Sequence, residues 1–188
     1  MAMNSLAVLA ASSLAGADLA LASLSLSQLV PAAGRGVRHT LMAPGGEVTL
    51  IDESYNANPA SMAAALSVLG QAKVGPQGRR IAVLGDMLEL GATGAELHAG
   101  LNDAIKTHHV DLVYCCGPLM HNLWDALSTG KRGGYADSAA NLEAQVLAAV
   151  RAGDAVMIKG SFGSKMKTIV TALEKRFPGK AVLDEAAV

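Results

Sequence analysis

Several residue types that mark common classes of protein are scarce in this sequence. Only 3% of the 188 residues are aromatic, and the two cysteines, Cys115 and Cys116, are adjacent within an apolar run. Neighbouring cysteines rarely have the geometry to bridge each other, so we expect two buried thiols in a reducing compartment. The Cys and His spacings typical of metal sites are also missing, and no metal ligand is expected.

The charge is small and evenly mixed, with 15 Lys and Arg, 16 Asp and Glu and a net charge of −1. Scattered cations of this kind give no electrostatic footprint for nucleic acid. No lysine or arginine precedes Arg35, whereas a secretory signal begins with positive charge, and Asp18 and Gln28 interrupt the leading apolar stretch. We therefore expect a cytoplasmic protein with no nucleic-acid partner and no membrane span.

Well-known catalytic motifs are missing as well. The sequence has no Gly-x-Gly-x-x-Gly dinucleotide motif, no nucleophile elbow and no phosphate-binding P-loop. A hydride-transfer enzyme is thereby disfavoured. His98 lies in a predicted helix and is interpreted as a surface residue.

The spacing of apolar residues predicts the organisation of the chain. Two short helices are predicted over 4–15 and 23–30, followed by a linker at 31–34. A hairpin is predicted around Pro44-Gly45-Gly46. Later strands are predicted at 80–85, 112–116, 134–136 and 155–158, and helices from about 59 and at 95–108, 119–127, 141–151 and 165–177.

Strands that are apolar throughout and separated by helices are typical of a parallel sheet covered on both faces. The predicted fold class is therefore α/β, with a Rossmann-like, mostly parallel sheet, helices on both faces and two short helices before it. Ligands of such open sheets bind at the carboxyl ends of the strands. Polar side chains follow three of the predicted strands at that point.

The first of these polar stretches runs from Ile51 to Ser61. Asp52 is able to accept hydrogen bonds from a ribose, Tyr55 offers a flat face with a polar tip, and Asn56 and Asn58 offer donors and acceptors. An alternative is purely structural: Asn58 caps a helix that begins at Pro59, while Asp52 and Asn56 shape a turn. The local sequence leaves both interpretations open.

Two further stretches follow later strands. Asp86 and Glu89 place carboxylates where an ammonium group of a substrate would lie, or they are solvated acids of an ordinary loop. Lys159-Gly160-Ser161 combines a lysine with backbone amides before a helix, which suits a carboxylate or a phosphate. Its alternative is a glycine-rich connector with a solvated lysine.

Taken in order, these stretches resemble the Mur ligase family. The resemblance rests on Asp52-x-Ser54-Tyr55-Asn56-Ala57-Asn58-Pro59-x-Ser61-Met62, on Leu84-Gly85-Asp86-Met87-x-Glu89-Leu90-Gly91, and on Lys159-Gly160-Ser161 with Met166. It implies that residues 1–32 are the last helices of a truncated central ATP-binding domain and that residues 33–188 form the carboxy-terminal domain.

The resemblance also implies roles for particular residues. An interdomain arginine and the first motif would contact ATP, namely Arg35, Asp52, Tyr55, Asn56 and Asn58. The other two motifs would line the pocket of the incoming amino substrate, namely Asp86, Glu89, Lys159, Gly160 and Ser161. Phe162 and Lys167 depart from the family pattern, in which an arginine is often found at the first position and an acid is common at the second.

The branch of the family that the motifs resemble joins D-alanyl-D-alanine to UDP-N-acetylmuramoyl-tripeptide in peptidoglycan synthesis, through an acyl phosphate. ATP and Mg²⁺ are the implied cofactors of the full-length enzyme, and the missing amino-terminal and central domains are the implied partners of this chain. Because the family's catalytic groups lie in the domains upstream, the resemblance implies no catalytic residue in this chain, and the chain alone is expected to be inactive and to hold no cofactor tightly. A stand-alone Rossmann-like nucleotide-binding or regulatory module is the main alternative; another Mur or folate-polyglutamate type ligase is a second.

Overall fold

A computed structural model describes residues 2–28 and 32–182, which fall into two compact units. The first unit contains two helices, α1 (Ala2–Leu14) and α2 (Leu19–Ser27). Asp18 begins α2 because its carboxylate accepts hydrogen bonds from the backbone N–H groups of Ala20 and Leu21, at 2.7 and 3.1 Å. The second helix therefore begins four residues before its predicted start, and its predicted end lies outside the described residues.

The second unit, Ala32–Val182, is built on one seven-stranded sheet. Its strands are β1 (Val37–Ala43), β2 (Gly46–Glu53), β3 (Arg80–Gly85), β4 (Leu112–Cys116), β5 (Arg132–Ala136), β6 (Ala155–Lys159) and β7 (Gly179–Val182). They are arranged in the order β5-β4-β3-β6-β2-β1-β7. All neighbours from β5 to β2 pair in parallel, whereas β1 runs antiparallel to both β2 and β7. The predicted hairpin and mostly parallel sheet are confirmed; β7 was not predicted.

Six α-helices connect or follow these strands: α3 (Pro59–Gln71), α4 (Gly94–Ala99), α5 (Leu101–Thr107), α6 (Met120–Ala126), α7 (Ala139–Ala149) and α8 (Lys167–Arg176). The single helix predicted at 95–108 is wrong in detail, because a turn at Gly100 separates α4 from α5. Within the described ranges, no helix combines the length and apolar character needed to cross a bilayer.

Two apolar cores lie on opposite faces of the sheet. Alternate strand residues such as Ala82 and Leu84 pack with α3, α5 and α6, while Ile81 and Val83 pack with α7 and α8. This alternation follows from the period of two residues along a strand. Helices therefore cover both faces, as predicted. The loops that follow the parallel strands begin at the carboxyl ends of those strands, along one edge of the sheet.

The cysteines confirm the prediction of buried thiols. Cys115 and Cys116 are both buried and unbridged, and they belong to the cores on opposite faces of the sheet. Burial raises the pKa of the Cys115 thiol to about 12 and that of the Cys116 thiol to about 11. A thiol in this environment is protonated at neutral pH and is a poor nucleophile.

Candidate functional site at the carboxyl edge of the sheet

The three polar stretches meet at one edge of the sheet. Strands β3, β6 and β2 are neighbours, and Lys159 at the end of β6 lies between Glu53 of β2 and Leu84 of β3. The loops that follow these strands therefore lie side by side, although they are up to about a hundred residues apart in the chain. The prediction that the three polar stretches follow strands at the carboxyl ends of the sheet is confirmed, and the structure brings them together at one edge.

Asp52 is fully buried and is held by protein groups. Its Oδ1 accepts hydrogen bonds from Ser54 Oγ at 2.6 Å and Ser54 N at 3.1 Å, and its Oδ2 contacts Lys167 Nζ at 2.9 Å. Burial by itself raises the pKa of the Asp52 carboxyl, but the hydrogen bonds from Lys167 and Ser54 outweigh burial, and the net pKa is lowered. The carboxylate thus fixes the start of the loop and the position of Lys167.

Tyr55 is 46% exposed, and two other side chains pack against its ring. The guanidinium of Arg35 lies over its ring, 4.3 Å from the centroid, and the Phe162 ring is tilted against it at 6.1 Å. The backbone N–H of Tyr55 donates to Gly34 O at 3.1 Å, which ties the segment before β1 to the loop after β2. Arg35 and Tyr55, both predicted to contact a nucleotide, therefore form one exposed surface.

Asn56 and Asn58 have local hydrogen bonds that the structural alternative anticipated. The side chain of Asn58 accepts from Ser61 N at 2.8 Å, while Ser61 Oγ accepts from Asn58 N at 3.0 Å, so a reciprocal cap begins α3 with Pro59 in its first turn. Asn56 Oδ1 accepts from Ala57 N at 2.9 Å. Both asparagines remain exposed at the edge.

Lys159 is 2% exposed, so it is not the solvated lysine of the structural alternative. Its Nζ donates to the backbone carbonyl of Asn56 at 2.9 Å and lies 3.5 Å from Glu53 Oε2. Burial lowers the pKa of the Lys159 ammonium, the nearby Glu53 carboxylate opposes this effect, and Arg35 adds to the lowering. Lys159 thus ties the end of β6 to the loop after β2.

Ser161 connects all three loops. Its N–H donates to Asp86 O at 3.0 Å, and its Oγ accepts from Leu88 N at 2.9 Å and donates to Ala57 O at 3.5 Å. Because the side chain is only 5% exposed, these bonds are shielded from competing water. Ser161 therefore joins the loop after β6 to the loops after β2 and β3.

Gly160 allows the ends of β3 and β6 to approach each other. A Cβ at this position would lie 2.6 Å from Met166 Cγ and 3.0 Å from Gly85 Cα. A Cβ at Gly85 would in turn lie 2.6 Å from the Met166 sulfur. The two glycines leave the space that the buried Met166 side chain fills, which explains why glycine occurs at both strand ends.

Asp86 and Glu89 occupy different environments within the loop after β3. Asp86 is 5% exposed, and its carboxylate accepts from Met120 N at 2.8 Å and Leu119 N at 3.3 Å at the start of α6. Glu89 is exposed and has a left-handed backbone conformation, with φ of 65°. Asp86 therefore anchors the loop, and Glu89 is the acid that the loop presents to solvent.

The interpretation of His98 as a surface residue is wrong. Its side chain is completely buried, with Nε2 2.9 Å from the N–H of Met87 and Nδ1 2.6 Å from Gly94 O. His98 follows its partner Met87 by eleven residues, with a loop and a turn between them, so the local sequence does not predict their hydrogen bond. In the structure, His98 and Gly94 are the buried residues of the six-residue helix α4.

A groove of about 760 Å³ lies beside the stacked side chains of Arg35, Tyr55 and Phe162 and the first turns of α8. Its lining includes the Tyr55 and Phe162 rings and the lysines Lys165, Lys167 and Lys175. An exposed aromatic ring stacked with an arginine and accompanied by lysines fits a planar, anionic ligand such as a nucleotide. A second groove of about 540 Å³, lined in part by Asp86, Gly117, Asp137 and Ser138, lies at the ends of β3 to β5.

Comparison with known proteins shows which family this chain resembles. The family model described as Mur ligase, glutamate ligase domain, matches residues 38–162. UDP-N-acetylmuramoyl-tripeptide–D-alanyl-D-alanine ligase of Escherichia coli is 33% identical over 173 residues, which are 92% of this chain and 36% of that protein. The enzyme of the same name from Treponema pallidum is 31% identical over 177 residues, 93% of this chain and 37% of its own length.

Solved structures show the same fold. MurF from Acinetobacter baumannii superposes with a TM-score of 0.74 at 25% identity, over 92% of this chain and 36% of that one. MurF from Thermotoga maritima, solved in complex with ADP, gives a TM-score of 0.68 at 24% identity, over 89% of this chain and 36% of that one. This chain spans little more than a third of these proteins. With the match over residues 38–162 and the three motifs on one edge of the sheet, the chain belongs to the Mur ligase family and corresponds to its carboxy-terminal domain.

Proposed function

We propose that this chain is the closing domain of a cytoplasmic, ATP-dependent ligase that adds D-alanyl-D-alanine to UDP-N-acetylmuramoyl-tripeptide in peptidoglycan synthesis. The curated relatives that carry this activity in their names match more than 90% of the chain in the two cases above. The observation that carries the proposal is the set of hydrogen bonds through Ser161, which joins the three motif loops at one edge of the sheet.

One half of this edge is proposed to contact the nucleotide. Arg35 and Tyr55 form the exposed stacked pair, Asn56 and Asn58 are exposed beside it, and Lys167 lies in the adjoining groove. ATP supplies the phosphoryl group that activates the tripeptide carboxylate. The buried Asp52 supports this half by fixing Lys167. Because Asp52 is completely buried, any contact of its own with a ribose requires the residues that cover it to move.

The other half is proposed to face the incoming dipeptide. Glu89 is exposed and negatively charged, which suits the ammonium group of D-alanyl-D-alanine. Asp86, Lys159 and Ser161 are proposed to act here by holding the loops, because their polar atoms are bonded to the protein. Gly160 permits the close approach that brings these loops together.

The mechanistic contribution of such an edge is positioning and exclusion of water. Loops that are cross-linked by buried hydrogen bonds lose little further entropy when a substrate binds, so the dipeptide amine is held at a defined place relative to the activated carboxylate. Closure of the domain over the other substrates removes competing water from the reaction. We propose no chemical step on a side chain of this chain.

Magnesium is proposed only for the remainder of the full-length enzyme. Across residues 2–28 and 32–182, no three His, Cys, Asp or Glu side chains are grouped so as to hold a metal ion. The acids at the edge, Asp52 and Asp86, already accept hydrogen bonds from protein donors on both of their carboxylate oxygens. The residues present therefore do not fit a magnesium site.

The two leading helices support the proposal that residues 1–32 belong to another domain. They carry exposed leucines, of which Leu14 is 91%, Leu21 64% and Leu6 62% exposed. Two short helices with outward leucines bury too little apolar surface to be stable alone. We propose that the central domain of the full-length enzyme covers them.

The test uses the chain and the full-length enzyme in parallel. We expect the purified chain to show no ATPase activity above background and no calorimetric binding of ATP in the micromolar range. In the full-length ligase, Arg35→Ala is expected to raise KM for ATP, and Glu89→Gln to raise KM for D-alanyl-D-alanine, each about tenfold, which corresponds to about 1.4 kcal/mol. Micromolar ATP binding by the chain alone would instead support a stand-alone nucleotide-binding module.

A further inference from the structure

His98 is a buried titratable residue that the proposed reaction does not use. It is completely buried, yet both ring nitrogens have polar partners on different segments. Gly94 O is only able to accept a hydrogen bond, so Nδ1 must carry the ring proton. Met87 N–H is only able to donate, so Nε2 must be the acceptor. The two partners together select the neutral ring with its proton on Nδ1.

The bond to Met87 lies in the middle of the loop after β3. Three successive backbone N–H groups of this loop donate to three different parts of the fold. Asp86 N donates to Cys116 O of β4 at 3.2 Å, and Met87 N donates to His98 of α4 at 2.9 Å. Leu88 N donates to Ser161 Oγ, in the loop after β6, at 2.9 Å. The next residue is Glu89, where φ becomes positive. The direction in which Glu89 leaves the loop thus depends on where these three amides are held.

An apolar side chain of similar size would fill the same space without holding the loop. It would leave Met87 N–H without its acceptor in a buried site, and a buried donor without a partner is costly enough to shift the local backbone. The imidazole at position 98 is therefore more than a space-filling group. Its effect on the edge is transmitted through the backbone of Met87.

We propose that His98 is a positioning residue that holds the loop after β3 through Met87 N–H and thereby sets the place of Glu89. Its importance for ligation rests on the proposed function, since it assumes that the loop faces the dipeptide. The hydrogen-bonding role itself does not depend on that assumption.

The first experiment measures hydrogen exchange of assigned backbone amides in the 188-residue chain by NMR. His98→Gln retains an acceptor near the place of Nε2, whereas His98→Leu removes it. We expect the Met87 amide to exchange at least about tenfold faster in His98→Leu than in wild type, as loss of a buried hydrogen bond implies, and within about threefold of wild type in His98→Gln. The Val113 amide in β4 serves as the reporter of general destabilisation.

Two results would overturn the proposal. One is unchanged exchange of Met87 in His98→Leu; the other is an equal acceleration at Val113, which would mean that His98 only fills the core. Should His98→Leu fail to fold, His98→Gln compared with His98→Asn takes its place, because asparagine is too short to place an acceptor at Nε2. Equal Met87 exchange in those two variants would also reject the proposal.

The second experiment uses the full-length ligase and separates this inference from the proposed function. His98→Leu is expected to raise KM for D-alanyl-D-alanine at least fivefold while KM for ATP changes less than twofold, and His98→Gln is expected to restore most of the loss. Equal effects on both substrates would contradict a role specific to this loop. A wild-type enzyme that does not join the dipeptide at all would refute the proposed function, while the exchange result would still decide the role of His98.

Discussion

Replacing either partner of the contact between Asp52 and Lys167 should lower the stability of the fold, but by different amounts. Asp52 is fully buried, whereas the Lys167 side chain is 51% exposed. Lys167→Met would leave a buried carboxylate with only Ser54 as a partner, which costs several kcal/mol in a closed interior. Because the Lys167 side chain is half exposed and water is able to replace its ammonium in part, we expect Lys167→Met to cost about 2 kcal/mol. Asp52→Asn frees a lysine that reaches solvent, so we expect about 1 kcal/mol.

The double variant Asp52→Asn/Lys167→Met should cost less than the sum of the single changes, because it removes the buried charge together with its partner. Urea unfolding, followed by the fluorescence of the single tryptophan, Trp124, measures all four proteins. A loss below about 0.5 kcal/mol for Lys167→Met, which is the scale of an ordinary surface substitution, would refute the reasoning.

The pH dependence of the same series follows from the lowered pKa of Asp52. A carboxyl whose folded pKa lies below its unfolded value contributes stability above the unfolded value, near pH 4, and that contribution is lost as the pH falls through the folded value. The difference between wild type and Asp52→Asn should therefore shrink on acidification below pH 4. An equal difference at pH 7 and at the acid end of the measurable range would contradict the assigned protonation.

Three further predictions concern buried residues at the site edge and in the core. Ser161→Ala leaves the Leu88 N–H without its side-chain acceptor and should lower the unfolding free energy by about 1–3 kcal/mol in urea titrations. Gly160→Ala should cost about 1–3 kcal/mol because its Cβ would overlap Met166, whereas Gly130→Ala, with open space around it, should change stability by less than about 0.5 kcal/mol; equal values would reject the steric explanation. Cys115, buried and with its pKa raised to about 12, should react with a thiol reagent at least about a hundredfold more slowly in the native protein than in urea, as thiolate-dependent reactivity implies.

Much of the fold was predictable because its determinants are local. The apolar runs of β3, β4 and β6 match the predicted strands within a residue, and Asn58 and Pro59 marked the start of α3 correctly. Strand-end glycines and polar residues also indicated which edge carries the site, since all carboxyl ends of a parallel sheet point the same way. The missed strand, β7, is four residues long and pairs with β1 at the edge of the sheet, so its sequence carries little periodic signal.

By itself, the sequence determined most of the secondary structure, the apolar faces and the set of motif residues, because side-chain periodicity and capping act over a few neighbours. Only the tertiary structure decided what those residues do with their polar atoms. Lys159 and Ser161 are bonded to loops about 70 to 105 residues away, and His98 is buried against Met87 rather than exposed. The partners of Lys159 and Ser161 depend on the insertion of β6 between β2 and β3, a pairing between segments distant in the chain that no local pattern encodes. The partner of His98 depends instead on how α4 packs against the loop after β3.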